Sequence, residues 1–267
     1  MIEEIRIETL EDVMQLLMEQ ERNQDNQRYR SSFLYRGMID ANFRLSTSLS
    51  RNCKGKQWQL EPAILRNFAK YAGIDNPTLE RSVWKQMITG QHYGLPTRLL
   101  DWTPSPLIAL HFANDVRTLD HLDNRDCLIW RIDGQDIKRC LPDRYRKALD
   151  EDDTFIFDVN KLASVVDTLE QYDRDMSDHS MVILEPPSTD QRIINQYSFF
   201  SVMPRGIEDI EAYLAQNTVR TRKYTISRDI RWDIRDLLDQ FNMNERIIYP
   251  GLDGLSKWIA RYYFVKE

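Results

Sequence analysis

The densest group of chemically versatile side chains lies between Gln91 and Trp102. Within these twelve positions the sequence places an amide, an imidazole, a phenol, a hydroxyl, a guanidinium, a carboxylate and an indole. Gly94 allows a tight turn and Pro96 fixes a backbone angle, so this segment would keep one shape. Recognition sites are generally built from polar groups that a rigid scaffold presents. The segment is therefore the first candidate for a binding or catalytic site.

The polar side chains of this segment have functional and structural interpretations. His92 lies between Gln91 and Tyr93, which favours a ligand contact, although a histidine after a helix end also caps backbone carbonyls. Arg98 and Asp101 are expected to lie together at a sheet edge. They would then be ligand-binding groups, or a partly buried ion pair whose disruption costs about 3–5 kcal/mol. We predict that Asp101→Asn acts mainly on folding.

A second candidate is Arg36 with Gly37, which follow a short predicted strand over residues 33–35. Arginine offers a planar fork of donors that suits phosphate or carboxylate, and the adjacent glycine lets a ligand approach the backbone. A solvated surface arginine is the alternative interpretation. Arg192 and Gln196, four positions apart near the start of a predicted late strand, are further candidates.

The composition indicates a folded protein and argues against several familiar chemistries. Of 267 residues, 42% are hydrophobic and 29% charged, as in ordinary globular domains, and the net charge of −6 gives no general attraction to nucleic acid or anionic lipid. No motif of a Rossmann fold, P-loop, zinc hydrolase or serine hydrolase is present. Without a leader-like start or a long apolar run, we expect a cytoplasmic protein with no membrane partner. Three widely spaced cysteines predict reduced thiols.

The spacing of apolar residues predicts the elements that position these candidates. Helices are predicted to begin at Thr9, Pro77–Thr78 and Ser227, and to cover residues 58–71, 107–114 and 252–264. The helix from Pro77–Thr78 is expected to end at Gly90. Strands are predicted over residues 33–35, 97–101, 127–132, 181–184, 193–202 and 223–226, and loops over 150–153 and 170–180. This order predicts an α+β fold with a mixed or antiparallel sheet flanked by helices, in a single domain over residues 1–267.

Several motifs resemble those of the FRG domain, a family named after its aromatic-Arg-Gly motif. They are Phe33–Gly37, Gln91–Thr103, Pro106–Ala113, Arg192–Phe199 and a C-terminal pattern at Ile248–Leu255. The resemblance covers residues 33–267, preceded by a helix and a polar connection over residues 1–32. Tyr35 stands where the family name would place Phe, and an aromatic ring is retained. The family's members are mostly bacterial and phage proteins of unassigned role, which implies such an origin.

The order of the motifs is also similar to that of ADP-ribosyltransferases that split NAD. Arg36 falls at the aromatic-Arg-Gly strand end, Ser46–Ser48 gives Ser-Thr-Ser, and Thr97 opens a strand before an Ala-rich helix. Those enzymes usually carry a Glu on a late strand, where this chain has Gln196, with Glu185 as the alternative. The resemblance implies an ADP-ribosyltransferase-like fold, NAD as substrate, no metal, and a protein or nucleic-acid acceptor that the residues do not identify.

Two functions remain open. In the first, an ADP-ribosyltransferase or NAD glycohydrolase, Arg36 holds a phosphate, His92 or Tyr93 orients the nicotinamide side, and Gln196 or Glu185 stabilises the developing oxocarbenium ion. In the second, a non-catalytic module recognises a nucleotide or an acidic partner segment. The candidate catalytic residues are Arg36, His92 and Gln196, and the candidate substrate-binding residues are Tyr35, Gly37, Ser46, Gln91, Tyr93, Thr97, Arg98, Asp101 and Arg192. We predict that Arg36, Gln91, His92, Thr97 and Arg98 converge on one cleft.

Overall fold

Two β-sheets form the centre of the protein. The computed structural model describes residues 2–22, 27–74, 77, 79, 82–116, 118–188 and 190–265. The first sheet is mixed, with the strand order β1 (Glu3–Ile7), β7 (Arg222–Ile226), β4 (Cys127–Asp133) and β2 (Phe33–Met38). Its β1 and β7 are parallel, and its other pairs are antiparallel. The second sheet is antiparallel, in the order β3 (Leu99–Trp102), β6 (Phe199–Val202) and β5 (Val182–Leu184).

Helices cover the outer faces of the two sheets. Five helices bury apolar residues with the second sheet: α3 (Gln57–Ala72), α4 (Val83–His92), α8 (Asp143–Asp150), α9 (Val159–Val165) and α10 (Leu169–Met176). Three do so with the first sheet: α1 (Leu10–Leu17), α5 (Pro106–Ala113) and α13 (Arg231–Gln240). The other α-helices are α2 (Ser48–Cys53), α6 (Asp120–Asn124), α7 (Gly134–Cys140), α11 (Gln191–Gln196), α12 (Ile210–Asn217), α14 (Glu245–Ile248) and α15 (Leu252–Tyr262). The predicted α+β class is confirmed.

A shared hydrophobic core lies between the two sheets. Leu34 and Met38 of β2 enter this core together with Leu100 and Trp102 of β3. Successive side chains of a strand point to opposite faces of its sheet. Tyr35 accordingly packs on the other face of the first sheet, in the core beneath α1, α5 and α13. The strand β2 therefore turns Arg36 toward the second sheet.

The edges of the two sheets meet at a backbone bridge between Tyr35 and Thr103. The amide of Tyr35 donates to the carbonyl of Thr103 at 2.7 Å, and the amide of Thr103 donates back at 2.8 Å. Arg36 follows the bridge on one strand, and Asp101 precedes it by two residues on the other. The two side chains are thus placed where the sheets begin to separate.

Gly37 fixes how closely α5 approaches β2. A Cβ atom at this position would lie 2.6 Å from the amide nitrogen of Ala113 and would overlap the carbonyl oxygen of Ala109. Both neighbours are backbone atoms of a helix, so neither can move without shifting α5. Gly37 therefore has a packing role, and it also lines the pockets that contain Arg36, where its expected contact with a ligand stays a prediction.

The predicted late strand over residues 193–202 is wrong in its first half. Asp190 caps α11 by accepting from the amide of Arg192 at 2.6 Å, and Ile193 buries one side of this short helix. Tyr197 then adopts a left-handed conformation at φ 47°, which reverses the chain before β6 begins at Phe199. A short apolar run does not by itself distinguish a strand from a buried helix. Gln196 consequently lies on a helix.

Other predicted boundaries also differ from the structure. The helix expected to end at Gly90 continues through His92, with Tyr93 as its C-cap. Its N-cap is Ser82, and the start predicted at Thr78 lies outside the described residues. The expected loop over 170–180 is mostly α10, whose charged outer face hides a buried stripe of Leu169, Tyr172 and Met176. The strand β2 continues past its predicted end, so Arg36 and Gly37 lie inside it.

Within the described part of the chain, no helix is long and apolar enough to cross a membrane.

Candidate functional site

A pocket of about 250 Å³ opens where the two sheets separate. Residues from four elements contribute to its walls: Arg36 of β2, Asp101 of β3, Phe112 of α5, and Arg192 and Gln196 of α11. Phe112 is partly exposed. The pocket thus combines two guanidinium groups, a carboxylate, an amide and an aromatic ring.

A chain of hydrogen bonds connects Arg36 with the predicted segment around Gln91. Nη1 of Arg36 donates to the carbonyl oxygen of Asp101 at 2.9 Å and lies 3.5 Å from its Oδ2. The same Oδ2 accepts from Nε2 of Gln91 at 3.0 Å. The Oε1 of Gln91 accepts from the Oγ1 of Thr97 at 2.6 Å. The structure therefore brings together three of the five residues predicted to converge, and Asp101 joins them.

Thr97 supports this series of hydrogen bonds from a buried position. It is buried, and its backbone amide donates to the Oγ of Ser48 at 3.1 Å. Its carbonyl accepts from the amide of Leu49 at 3.0 Å, which ties the segment before β3 to α2. Thr97 consequently orients Gln91, and Gln91 in turn holds the carboxylate of Asp101. Neither contact requires that Thr97 touch a ligand.

The carboxylate of Asp101 is open to the pocket. Its side chain remains 52% exposed, and both of its side-chain contacts use Oδ2. Oδ1 is therefore available for a ligand. Among the described residues that line this pocket, Asp101 supplies the carboxylate. The position combines a fixed orientation with access to a bound molecule.

The expected pairing of Asp101 with Arg98 is wrong. Arg98 is fully buried on the other side of β3, where its Nε donates to Glu61 at 2.7 Å and its Nη1 donates to Asp173 at 2.6 Å. Its guanidinium also lies 4.9 Å from the centre of the Trp58 ring. Arg98 directly precedes β3, and side chains three positions apart along an extended chain point to opposite faces, which separates Arg98 from Asp101. Arg98 thus serves the fold and does not join the predicted cleft.

Arg36 is held in place by Asp101, but part of its hydrogen-bonding capacity is unused. Its side chain is 19% exposed, and its buried Nε has no hydrogen-bond partner among the described residues. Burial lowers the pKa of Arg36, the nearby charge of Asp101 opposes this shift, and the positive charge of Arg51 adds to it. A guanidinium that is desolvated and close to another cation is favourably placed to receive an anion.

The short helix α11 places Arg192 and Gln196 on the opposite wall. The guanidinium of Arg192 lies over the ring of Tyr249 at 5.3 Å. Nε2 of Gln196 donates to the carbonyl of Ile248 at 3.4 Å. The residues around α14 therefore support the helix that faces Arg36. Gln196 lines the same pocket as Arg36, from a helix and as a neutral amide.

His92 and Tyr93 belong to adjoining pockets. His92 Nε2 lies 3.5 Å from the Oδ2 of Asp190, and the rings of His92 and Tyr93 meet edge to face at 4.9 Å. With Glu185 they line a pocket of about 650 Å³. Another pocket, of about 470 Å³, is lined by both His92 and Arg192, which also lines the central pocket. His92 is thus a neighbour of the central pocket and does not line it.

The remaining candidates have different surroundings. Tyr35 is fully buried, and burial raises the pKa of its hydroxyl, so its ring belongs to the core of the first sheet, although the residue also lines the central pocket. Ser46 lines a further pocket that contains Arg36. Sequence reasoning missed Arg51 in that pocket, because only the folded path of α2 brings it near Arg36. Among the described residues, no three His, Cys, Asp or Glu side chains are grouped so that they could hold a metal ion.

Residues 31–121 match the family model of the FRG domain. The chain therefore contains an FRG domain, which includes β2, α4, β3 and α5 and hence Arg36, Gln91 and Asp101. Arg192 and Gln196 lie beyond the matched range. No curated protein and no solved structure shows a significant match to the chain. The extension of the family-like domain over residues 1–267 and the likeness to ADP-ribosyltransferases stay predictions.

Proposed function

We propose that the protein binds NAD in the pocket between the two sheets and cleaves its nicotinamide–ribose bond, as an ADP-ribosyltransferase or an NAD glycohydrolase. The observation that carries this proposal is the placement of Arg36 and Asp101 at one pocket. The guanidinium of Arg36 has a buried, unpartnered Nε, and the carboxylate of Asp101 is oriented but open. Such a pair suits a ligand that carries phosphate and develops positive charge during reaction.

In this mechanism Asp101 has the role that we first gave to Gln196 or Glu185. When the C–N bond breaks, nicotinamide leaves with the bonding electron pair and the ribose becomes an oxocarbenium ion. A carboxylate stabilises that cation better than a neutral amide does. Water or an acceptor nucleophile then forms the new bond to the same carbon and loses a proton. Gln196 lines the pocket opposite and is a candidate for binding the nicotinamide or the ribose.

The size of the pocket limits which part of NAD it receives. Its volume of about 250 Å³ is below the range of about 300–1,000 Å³ that is typical of pockets for drug-sized ligands. The pocket therefore suits the nicotinamide riboside half of the dinucleotide. The phosphates and the adenosine would extend past Arg36 into adjoining space.

The chemistry is tested by measuring nicotinamide release from NAD. We expect the wild-type protein to release nicotinamide. Asp101→Asn should lower the rate at least about a hundredfold, because it removes the negative charge that stabilises the developing cation. Asp236→Asn is the matched control, since Asp236 is an exposed carboxylate on α13. No release by the wild-type protein, with NAD and with an added pool of acceptor proteins, would reject the cleavage.

A non-catalytic recognition module is the second candidate. One observation favours it: Arg36 and Gln91 already engage Oδ2 of Asp101, and the pocket offers no second carboxylate among its described residues. This function predicts that NAD or ADP-ribose raises the melting temperature without nicotinamide release. Binding with no turnover would therefore move this candidate into first place.

A further inference from the structure

A second pocket, of about 450 Å³, lies against Arg36 and Gly37. It is formed by β2, the loop that follows β2, and α2. Its lining includes three arginines, Arg36, Arg44 and Arg51, and the aromatic ring of Phe43. Because Arg36 also lines the pocket between the sheets, the two pockets share a guanidinium group.

Two arginines of this second pocket have a carboxylate partner, Arg36 in Asp101 and Arg44 in Asp209, whereas the described contacts of Arg51 are to neutral groups. No carboxylate belongs to its described lining. Arg51 donates to the carbonyl and, at 3.3 Å, to the Oγ of Ser46, both of which are neutral acceptors. Arg44 pairs with Asp209, but the two side chains are 69% and 43% exposed, so water weakens their attraction. Arg36 and Arg51 are close enough for their charges to repel.

An aromatic surface adjoins these charges. Phe43 is 49% exposed, so its ring is accessible to a bound molecule. A planar base gains about 1–3 kcal/mol by stacking on an aromatic side chain in nucleic-acid complexes. The pocket thus places a surface for a base next to donors for phosphate.

We propose that Arg36 and Arg51 bind the phosphate groups of the ligand in this second pocket, so that the ligand is a dinucleotide that extends across both pockets. The inference rests on the proposed function, because the pocket between the sheets is assigned there to the nicotinamide riboside half. The diphosphate lies between the two guanidinium groups, and the adenine contacts Phe43. A nucleoside without phosphate would occupy only the pocket between the sheets.

The test compares ligands with and without the diphosphate in wild type and in Arg51→Gln. We expect the variant to bind NAD and ADP-ribose at least about tenfold more weakly, and to bind nicotinamide riboside with unchanged affinity. Arg51→Lys retains the charge and should recover part of the loss. The control is Arg174→Gln, because Arg174 is an exposed arginine on α10 that contacts the neutral Gln171. Melting temperatures would show that each variant is folded.

The outcomes separate this inference from the proposed function. Cleavage of NAD by wild type with unchanged NAD affinity in Arg51→Gln would overturn the phosphate subsite and leave the function intact. Arg51-dependent binding of ADP-ribose without nicotinamide release would support the subsite and reject the cleavage. Equal weakening of nicotinamide riboside and NAD binding in Arg51→Gln would also overturn the subsite. So would a wild-type protein that binds none of the three ligands.

Discussion

Asp101 and Arg98 are three positions apart in the sequence but have opposite surroundings. Asp101 is half-exposed beside a pocket, whereas Arg98 is buried among Glu61, Asp173 and Trp58. The predicted ion pair between them assigned a structural role to the wrong residue. Glu61 and Asp173 lie 37 and 75 positions from Arg98, and Arg36 lies 65 positions from Asp101, so no local period in the sequence predicts these ionic partners.

The first prediction compares Arg98→Met with Asp101→Asn. Arg98→Met leaves the buried carboxylate of Glu61 without its cation, whereas Asp173 keeps its contact with Arg205, so we expect a loss of about 3–5 kcal/mol in the free energy of unfolding. Asp101→Asn should change it by less than about 1 kcal/mol, because the pair with Arg36 is partly solvated. Urea denaturation measures both values. A loss in Asp101→Asn as large as that in Arg98→Met would show that Asp101 supports the fold.

The second prediction concerns Gly37, where a side chain would meet the backbone of α5. We expect Gly37→Ala to destabilise the protein by about 3 kcal/mol or more, at or above the upper end of the usual cost of overpacking, because the overlap is with helix backbone. Gly94→Ala is the matched control. Gly94 has φ +84° but open space around its Cβ position, so the expected loss is about 1 kcal/mol of backbone strain. Equal melting temperatures for the two variants would contradict the close approach of α5.

Elements with strong local signals were predictable from the sequence, and elements defined by distant contacts were not. Ser105 and Pro106 mark the start of α5, and the hydroxyl of Ser105 accepts from the amide of Ile108 at 3.4 Å. At Ile193 the capping residue Asp190 gives a local signal, but the apolar run that follows it is equally typical of a strand. There, α11 exists because α14 accepts hydrogen bonds from its side chains, including the amides of Asn195 and Gln196.

The third prediction tests how the C-terminal segment supports α11. Tyr249→Ala removes the ring beneath Arg192, and we expect about a threefold to tenfold loss in NAD affinity. Tyr249→Phe keeps the ring and loses the hydrogen bond to Asp115, whose pKa burial raises. It should lower stability by about 1–3 kcal/mol and leave affinity unchanged. Equal affinities of the two variants would disprove the support of Arg192 by this ring.

At the scale of the whole molecule, a buried polar network joins α5 to the C-terminal helices. Nδ1 of His111 lies 3.1 Å from Arg235, and burial together with that positive charge lowers the pKa of His111 to about 3. Burial would raise the pKa of Glu245, but hydrogen bonds and charges from Arg261 and Arg235 outweigh it and lower that pKa to about 2. Both groups take up protons more readily when the chain unfolds.

The fourth prediction is a loss of stability in acid. Unfolded His111 gains a proton below its ordinary pKa of 6.5, whereas the folded form does so only near 3, so the unfolded state becomes favoured as pH falls. We expect about 2 kcal/mol to be lost from this group between pH 6.5 and 5. Glu245 should add a further loss below its ordinary value of 4.5. Urea denaturation of His111→Gln should give a flatter profile between pH 6.5 and 5. An unchanged slope in this variant would assign the acid sensitivity to other groups.

The central claim is that Arg36 belongs to a ligand site where the two sheets separate. Isothermal titration of NAD and ADP-ribose into wild type, Arg36→Gln and the exposed control Arg174→Gln tests it most directly. The account predicts binding by wild type and by the control, and a tenfold to hundredfold weaker affinity for Arg36→Gln, because charge-assisted hydrogen bonds are worth about 1.5–3 kcal/mol. Absence of binding to wild type, or equal affinity of wild type and Arg36→Gln, would contradict the account.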